Sequence, residues 1–234
     1  MLKMPPIQEN LMSFDTQTHL STIAVKNPRS IAVFRKYGLD FCCGGARPLV
    51  DVCQEMKLDT HKVLGEILST LSLPLEANWE TEPASKLIEH ILVSFHQKHR
   101  NDLAILIPLA RKVEAVHAEN SKTPKGIHEL LKTVADAMEE HMLKEENILF
   151  PWILNNGATP PYAPIQVMMS EHLSHKEKLI QLRATCHDFN FPHEACASWR
   201  ALYTGVEQLI ADLMEHIHLE NNVLFPMALS EKSL

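Results

Sequence analysis

The sequence predicts an all-α protein: an up-down four-helix bundle preceded by a small helical N-terminal domain. Three observations carry this. The chain of 234 residues holds only 7 Gly and 3 Tyr against many Leu, Ala, Lys, Glu and Met, a balance that favours helices over sheets. Four long stretches in the later part keep apolar residues three and four apart, the period of a helix with one buried face. Of 14 His, only His19 and His61 precede residue 80, so the two parts of the chain differ in chemistry as well as pattern. The length is enough for one large core or for a main domain with a small one.

The small domain is expected over 1–78. Asn27 can cap a helix with Pro28 in its first position and Gly38 as its stop. Further short helices are expected from near Pro48 and Asp59. The stretch LSLPLEANWETEP has two prolines and no helical period, and reads as a linker. Beyond it, over 79–234, helices are predicted at about 83–117, 124–155, 163–188 and 193–229. Thr123-Pro124 and Phe191-Pro192 mark starts, and NNGATPPYAP is a loop. Short connections make antiparallel neighbours. Pro108 should kink or break the first stretch, and the two Leu-Phe-Pro segments should bend or end theirs.

A net charge of −7 argues against a nucleic-acid partner. No run approaches the roughly 18–20 apolar residues of a membrane span, and MLKMPPIQEN lacks a secretory apolar core. A cytoplasmic protein without a membrane partner is expected. Five Cys, two of them adjacent, do not form a secreted disulfide framework, so reduced thiols are expected.

EEHMLKEENILFP and MEHIHLENNVLFP stand in one chain. Each holds His-x3-Glu, as His141/Glu145 and His216/Glu220, one helical turn apart on one face. In the first, Val134, Met138, His141, Glu145, Leu149 and Trp152 form the apolar stripe itself. In the second, Leu209, Leu213, His216, Glu220 and Val223 do so, and His218 faces elsewhere. Two His-x-x-His pairs, His96/His99 and His172/His175, fall on the remaining two stripes. They lie 76 residues apart, and the His-x3-Glu pairs lie 75 apart. The bundle thus reads as two similar hairpins about a pseudo-twofold axis.

One such pair on a helix is more often an exposed polar pair than a ligand set. Duplication on core stripes reverses that reading, because two buried carboxylates would each cost several kcal/mol unless positive charge meets them. Few Lys or Arg share those stripes. Metal ions would supply the charge, with neutral imidazoles as nitrogen ligands and Glu145 and Glu220 as bridges. Imidazole and carboxylate without thiolate suit iron or manganese better than structural zinc. Spacing leaves His96 against His99, and His172 against His175, open between ligand and neighbour of a ligand; matched position favours His96 and His172. His90, His117, His128, His187 and His193 have no counterpart in the duplication and read as surface or core residues. Cys53, Cys186 and Cys196 read as structural, and VMMSEH as core packing.

FRKYGLDFCCGG, followed by SEH, HxxxEENILFP and HxxLENNVLFP, resembles the repair-of-iron-centres family of YtfE/ScdA type, whose bundle is hemerythrin-like. The resemblance covers nearly the whole chain. It implies two non-haem iron ions per chain, oxo- or hydroxo- and carboxylate-bridged, held by His96, His141, His172 and His216 with Glu145 and Glu220 as bridges. The implied function is rescue of iron-sulfur clusters damaged by nitrosative or oxidative stress, by iron donation and with nitric oxide reduction as a further activity. Its partners are then iron-sulfur proteins with damaged clusters, nitric oxide, oxygen or peroxide, and the chain is a monomer or homodimer. Oxygen-carrying hemerythrins use five histidines and two carboxylates, so four histidines leave more room for exogenous ligands. Where relatives often carry an acid one turn before the ligand histidine of the second helix, this chain has Ala137, with Asp136 beside it.

Cys42 and Cys43, followed by Gly44 and Gly45, suit redox work or the handling of iron or nitric oxide; the alternative is a pair of structural thiols in a turn. Two other functions stay open at the level of sequence: a hemerythrin-like module that reversibly binds or senses oxygen or nitric oxide without turnover, and a peroxide-consuming oxidoreductase.

Overall fold

The structure is a computed structural model that describes residues 14–72, 78–155 and 159–230. Of the expected segments, MLKMPPIQEN, part of the linker (73–77) and part of the NNGATPPYAP loop (156–158) lie outside the described residues. The small helices are α1 (Leu20–Lys26), α2 (Ser30–Tyr37), α3 (Leu49–Glu55) and α4 (Thr60–Ser69). Gly38, at φ 68°, stops α2 in the left-handed conformation that glycine adopts without strain. Asp59 caps α4 by accepting from the N–H groups of His61 and Lys62. Asn27 does not cap with its side chain. That side chain is buried and donates to Thr70 Oγ1 at 2.7 Å, while the Asn27 carbonyl receives the Ser30 N–H at 2.9 Å. The helix therefore begins two residues later than Pro28.

The first bundle helix joins α5 (Ala84–Ile91) to α6 (Gln97–Val116) through a π turn at Leu92–His96. The second joins α7 (Ile127–Lys144) to α8 (Phe150–Leu154) through a π turn at Glu145–Leu149. The third is α9 (Tyr162–Thr185). The fourth joins α10 (Ala197–Leu219) to α11 (Phe225–Leu229) through a π turn at Glu220–Leu224. Helix α6 continues through Pro108. Packing against α7 and α10 outweighs a proline penalty of about 3 kcal/mol. The Leu-Phe-Pro segments do not end their helices either. Each π turn hands over to a new helical segment with proline in its first turn, where a missing N–H leaves no hydrogen bond unmade.

The apolar core falls into two clusters. One joins Leu20, Phe34 and Ile67 of the small helices and Phe41 of the loop after α2 to Leu103, Leu131, Leu179 and Val206 of the bundle. The other, at the far end, gathers Leu87, Phe95, Phe150, Met168, Leu224 and Phe225. Along each bundle helix the buried His and Glu residues lie between these clusters: His96 and His99, His141 and Glu145, His172 and His175, His216 and Glu220. Trp152, expected on the stripe, is instead 37% exposed and donates to the Thr159 carbonyl. The intervening π turn has rotated it off the core face.

Candidate metal centre

Four helices deliver one polar layer into the buried interior. His96, Glu145, His216 and Glu220 bring ligand atoms within 4.8 Å of one another, as do His141, Glu145, His172 and Glu220, and all six residues are buried. Both carboxylates belong to both groups; each histidine belongs to one. The oxygens divide accordingly. Glu145 Oε2 lies 3.4 Å from His96 Nε2 and its Oε1 3.3 Å from His141 Nε2. Glu220 Oε1 lies 3.1 Å from His216 Nε2 and its Oε2 3.1 Å from His172 Nε2.

The three π turns end on His96 or begin on Glu145 and Glu220. The extra residue in each turn rotates the helix and lets these side chains share the layer with apolar neighbours on both sides. Such turns recur at functional sites.

Burial and the neighbouring Glu220 push the Glu145 carboxyl up to about 8. Burial also works against ionisation of Glu220, but His216 and His172 outweigh it and hold that carboxyl well below its usual range. The two carboxyls are thus driven in opposite directions, as like charges sharing one buried site must be. His96 Nε2, both oxygens of Glu145 and Glu220 Oε2 are buried without a hydrogen-bond partner. Converging, unpartnered imidazole and carboxylate atoms are what a cation bound between the two groups would satisfy, and the donor set suits non-haem iron.

Around the layer, the Nδ1 atoms of three histidines have partners. His96 Nδ1 meets Glu146 at 2.8 Å, and Glu146 is held by Arg100 at 2.9 Å. His141 Nδ1 meets Glu171 at 2.8 Å, and Glu171 is held by Lys144 at 2.6 Å. His172 Nδ1 meets Asn221 at 2.8 Å. The His216 Nδ1 is buried without a partner, its ring stacked on Phe95. Sequence reasoning missed Glu146, Glu171 and Asn221. Their signal was adjacency: two directly follow the shared glutamates, and Glu171 directly precedes His172.

His99 and His175 stand outside both groups, their rings 5.4 Å from His216 and 4.9 Å from His141. Their four ring nitrogens are buried without partners. Burial, reinforced by the neighbouring histidines, depresses His99 to about 2 and His175 to about 3, so both are neutral. His175 also borders a polar cleft of about 140 Å³ with Ala137, Glu140, Lys144 and Glu171. Ala137 therefore leaves space beside the layer. His218 faces away from the layer, against the Phe41 ring and within 2.9 Å of Asn222 one turn further along its own helix.

Cys42 and Cys43 are not part of the layer but lie on its shoulder. Their sulfurs are 3.8 Å apart, and Cys43 Sγ is 3.9 Å from the His172 carbonyl. Asp40 accepts from the Cys43 N–H at 3.0 Å and the Cys42 thiol at 3.3 Å, and Lys176 holds Asp40 at 2.5 Å. The hydrogen bond from Cys42 lowers the Cys43 thiol despite its burial, and the same bond together with burial raises Cys42 well above the free thiol range. Cys196, expected to be structural, is half-buried with His117 Nε2 at 3.1 Å, which lowers its thiol. No helix among the described residues is long and apolar enough to cross a membrane.

Four helices enclosing a duplicated His/Glu layer define a cation-binding bundle of the hemerythrin type. The family of the hemerythrin HHE cation binding domain matches residues 87–228, and the ScdA amino-terminal domain, a domain of unknown function, matches residues 16–71. The iron-sulfur cluster repair protein YtfE of Cronobacter sakazakii is 43% identical over 94% of this chain and 99% of its own. That of Citrobacter koseri is 42% identical over the same shares, and that of an Escherichia coli strain 42% over 90% and 96%. The chain belongs to the YtfE family of iron-sulfur cluster repair proteins.

Proposed function

We propose that this protein repairs iron-sulfur clusters damaged by nitrosative or oxidative stress, holding two non-haem irons in the buried layer and giving up iron to the damaged cluster. One observation carries the two-iron reading. Each glutamate turns its two oxygens toward histidines of different groups, the arrangement of a carboxylate that bridges two ions. His96 and His216 would hold one ion, His141 and His172 the other, with Glu145 and Glu220 shared. Bound iron would supply positive charge to two carboxylates and a transferable ion for a cluster. Glu146 and Glu171 fix the rings of His96 and His141 with Nε2 facing inward. The apolar clusters on either side keep bulk water from the layer. Cys42 and Cys43 would receive iron or nitric oxide at the edge of the layer, in the cytoplasm where thiols stay reduced.

The test is anaerobic metal analysis followed by incubation of the iron-loaded protein with a cluster-damaged iron-sulfur enzyme. About two irons per chain without acid-labile sulfide, and recovery of the target with loss of iron from this protein, are expected. A reversible oxygen or nitric oxide adduct, with iron fully retained and no recovery, would favour the binding module instead.

A further inference from the structure

The internal duplication has a built-in control. The residue that follows the shared glutamate is Glu146 in one half and Asn221 in the other, and both reach the Nδ1 of a histidine from the His-x-x-His helices, His96 and His172, at 2.8 Å. Their outer contacts differ. Glu146 is backed by the Arg100 guanidinium. Asn221 is backed by a carbonyl, donating through Nδ2 to the backbone oxygen of Cys42 at 3.2 Å.

That difference explains the residue type. The Nε2 of His172 faces the layer, 3.1 Å from Glu220 and from the His141 Nε2, so when a metal occupies Nε2 the proton sits on Nδ1 and must be donated outward. The Cys42 carbonyl can only accept. A group between a donor and an acceptor must accept from one and donate to the other, which an amide does and a carboxylate cannot. Asn221 meets both needs, and a glutamate copied from the first half would face the carbonyl with like partial charge.

The carbonyl concerned lies in the peptide bond joining Cys42 to Cys43. Of the three partnered ligand histidines, only His172 is therefore oriented through the amino-terminal loop. Asn222 holds the same loop, donating to the carbonyls of Phe41 and Cys42 at 3.3 and 3.4 Å, but its hydrogen bond within the bundle goes to His218, outside the six layer residues.

We propose that Asn221 is a positioning residue that couples the Cys42–Cys43 peptide to His172, so that displacement of the thiol loop loosens the iron shared by His172 and His141. The inference rests on the two-iron reading above. It makes loop movement, by thiol chemistry or by contact with a client, the event that frees one iron while the His96 side keeps the other.

A double-mutant cycle tests it. Gly45→Ala displaces the loop, because its Cβ would stand 2.5 Å from the Phe41 carbonyl oxygen and 2.8 Å from Ser21 Cβ. Asn222→Ala releases the loop without changing its backbone. Asn221→Asp keeps the acceptor for His172 and removes the donor to Cys42. Iron release to a chelator is followed anaerobically, together with helix content and the His172 Nδ1–H resonance of the metal-free protein. In the parent background each loop variant should speed release of one of the two irons by about tenfold or more, the usual scale for losing an outer partner of a metal ligand. In the Asn221→Asp background the loop variants should change release by less than about twofold, and the His172 resonance should no longer shift with them. Equal acceleration in both backgrounds, or acceleration of both irons alike, would overturn the coupling. Two irons and active repair with an additive cycle would sink this inference alone; a parent without a second iron would sink the two-iron reading with it.

Discussion

Replacing Glu220 by leucine separates a ligand from a structural residue, because only loss of a ligand changes what added iron does to stability. Glu220 is fully buried, and its carboxylate faces the edges of His172 and His216 at 3.1 Å. In the metal-free protein those two histidines outweigh burial and hold the carboxyl well below its usual range, so its removal costs the bundle a favourable contact. Losing a charged acceptor costs about 1–3 kcal/mol, or roughly 2–12 °C in Tm for a chain of this size. Iron binding should collapse, since Glu220 belongs to both four-residue groups. The count should fall from about two per chain to well under one, and added ferrous iron should raise the Tm of the parent but not of the variant. Glu177→Leu, at an exposed position, should alter neither. Anaerobic melting with and without ferrous iron, paired with metal analysis, reads all of this. Full iron retention in Glu220→Leu, or a rise in its Tm on iron addition equal to the parent's, would refute the reasoning.

His96→Ala removes a residue of one group only, so metal analysis should find about one iron where Glu145→Leu finds almost none. Alkylation at neutral pH followed by mass spectrometry should label Cys43 and Cys196 first, because hydrogen bonds from Cys42 and His117 lower their thiols. Cys186, pushed up to about 12 by burial, should stay unlabelled until the protein unfolds, and its early labelling would contradict the burial assigned to it. The double variant Cys42→Ser, Cys43→Ser should keep the parent's iron content, since neither sulfur lies in the layer, yet lose most of its cluster repair. Equal repair rates would make the thiols passengers.

The long helices were legible because their apolar period extends over many turns, and the duplicated spacing nominated the residues that the fold brings into one layer. What stayed hidden was local. No periodicity announces a π turn, although proline six residues beyond both Glu145 and Glu220 marks where one is needed to keep the helix going. Pro108 followed the opposite course, a breaker overridden by packing on two sides. Asn27 reads as a cap from its type, but the Thr70 hydroxyl and Ile67 carbonyl claim its amide. His218 is two positions beyond His216, on the other side of the helix, and was legible only as pointing elsewhere; its contact with Phe41 needs the amino-terminal segment docked on the bundle. Glu146, Glu171 and Asn221 meet histidines of other helices, so their partners follow from tertiary geometry and not from spacing.

The most direct test of iron donation follows the metal atom itself. The protein is loaded with the isotope iron-57, freed of loose iron, and mixed anaerobically with an enzyme whose iron-sulfur cluster has been damaged by nitric oxide. The target is then separated and its cluster read by Mössbauer spectroscopy. The account predicts iron-57 in the rebuilt cluster, together with a matching loss from the His/Glu layer. A target restored to activity by unlabelled iron alone, with the label still in the bundle, would contradict it.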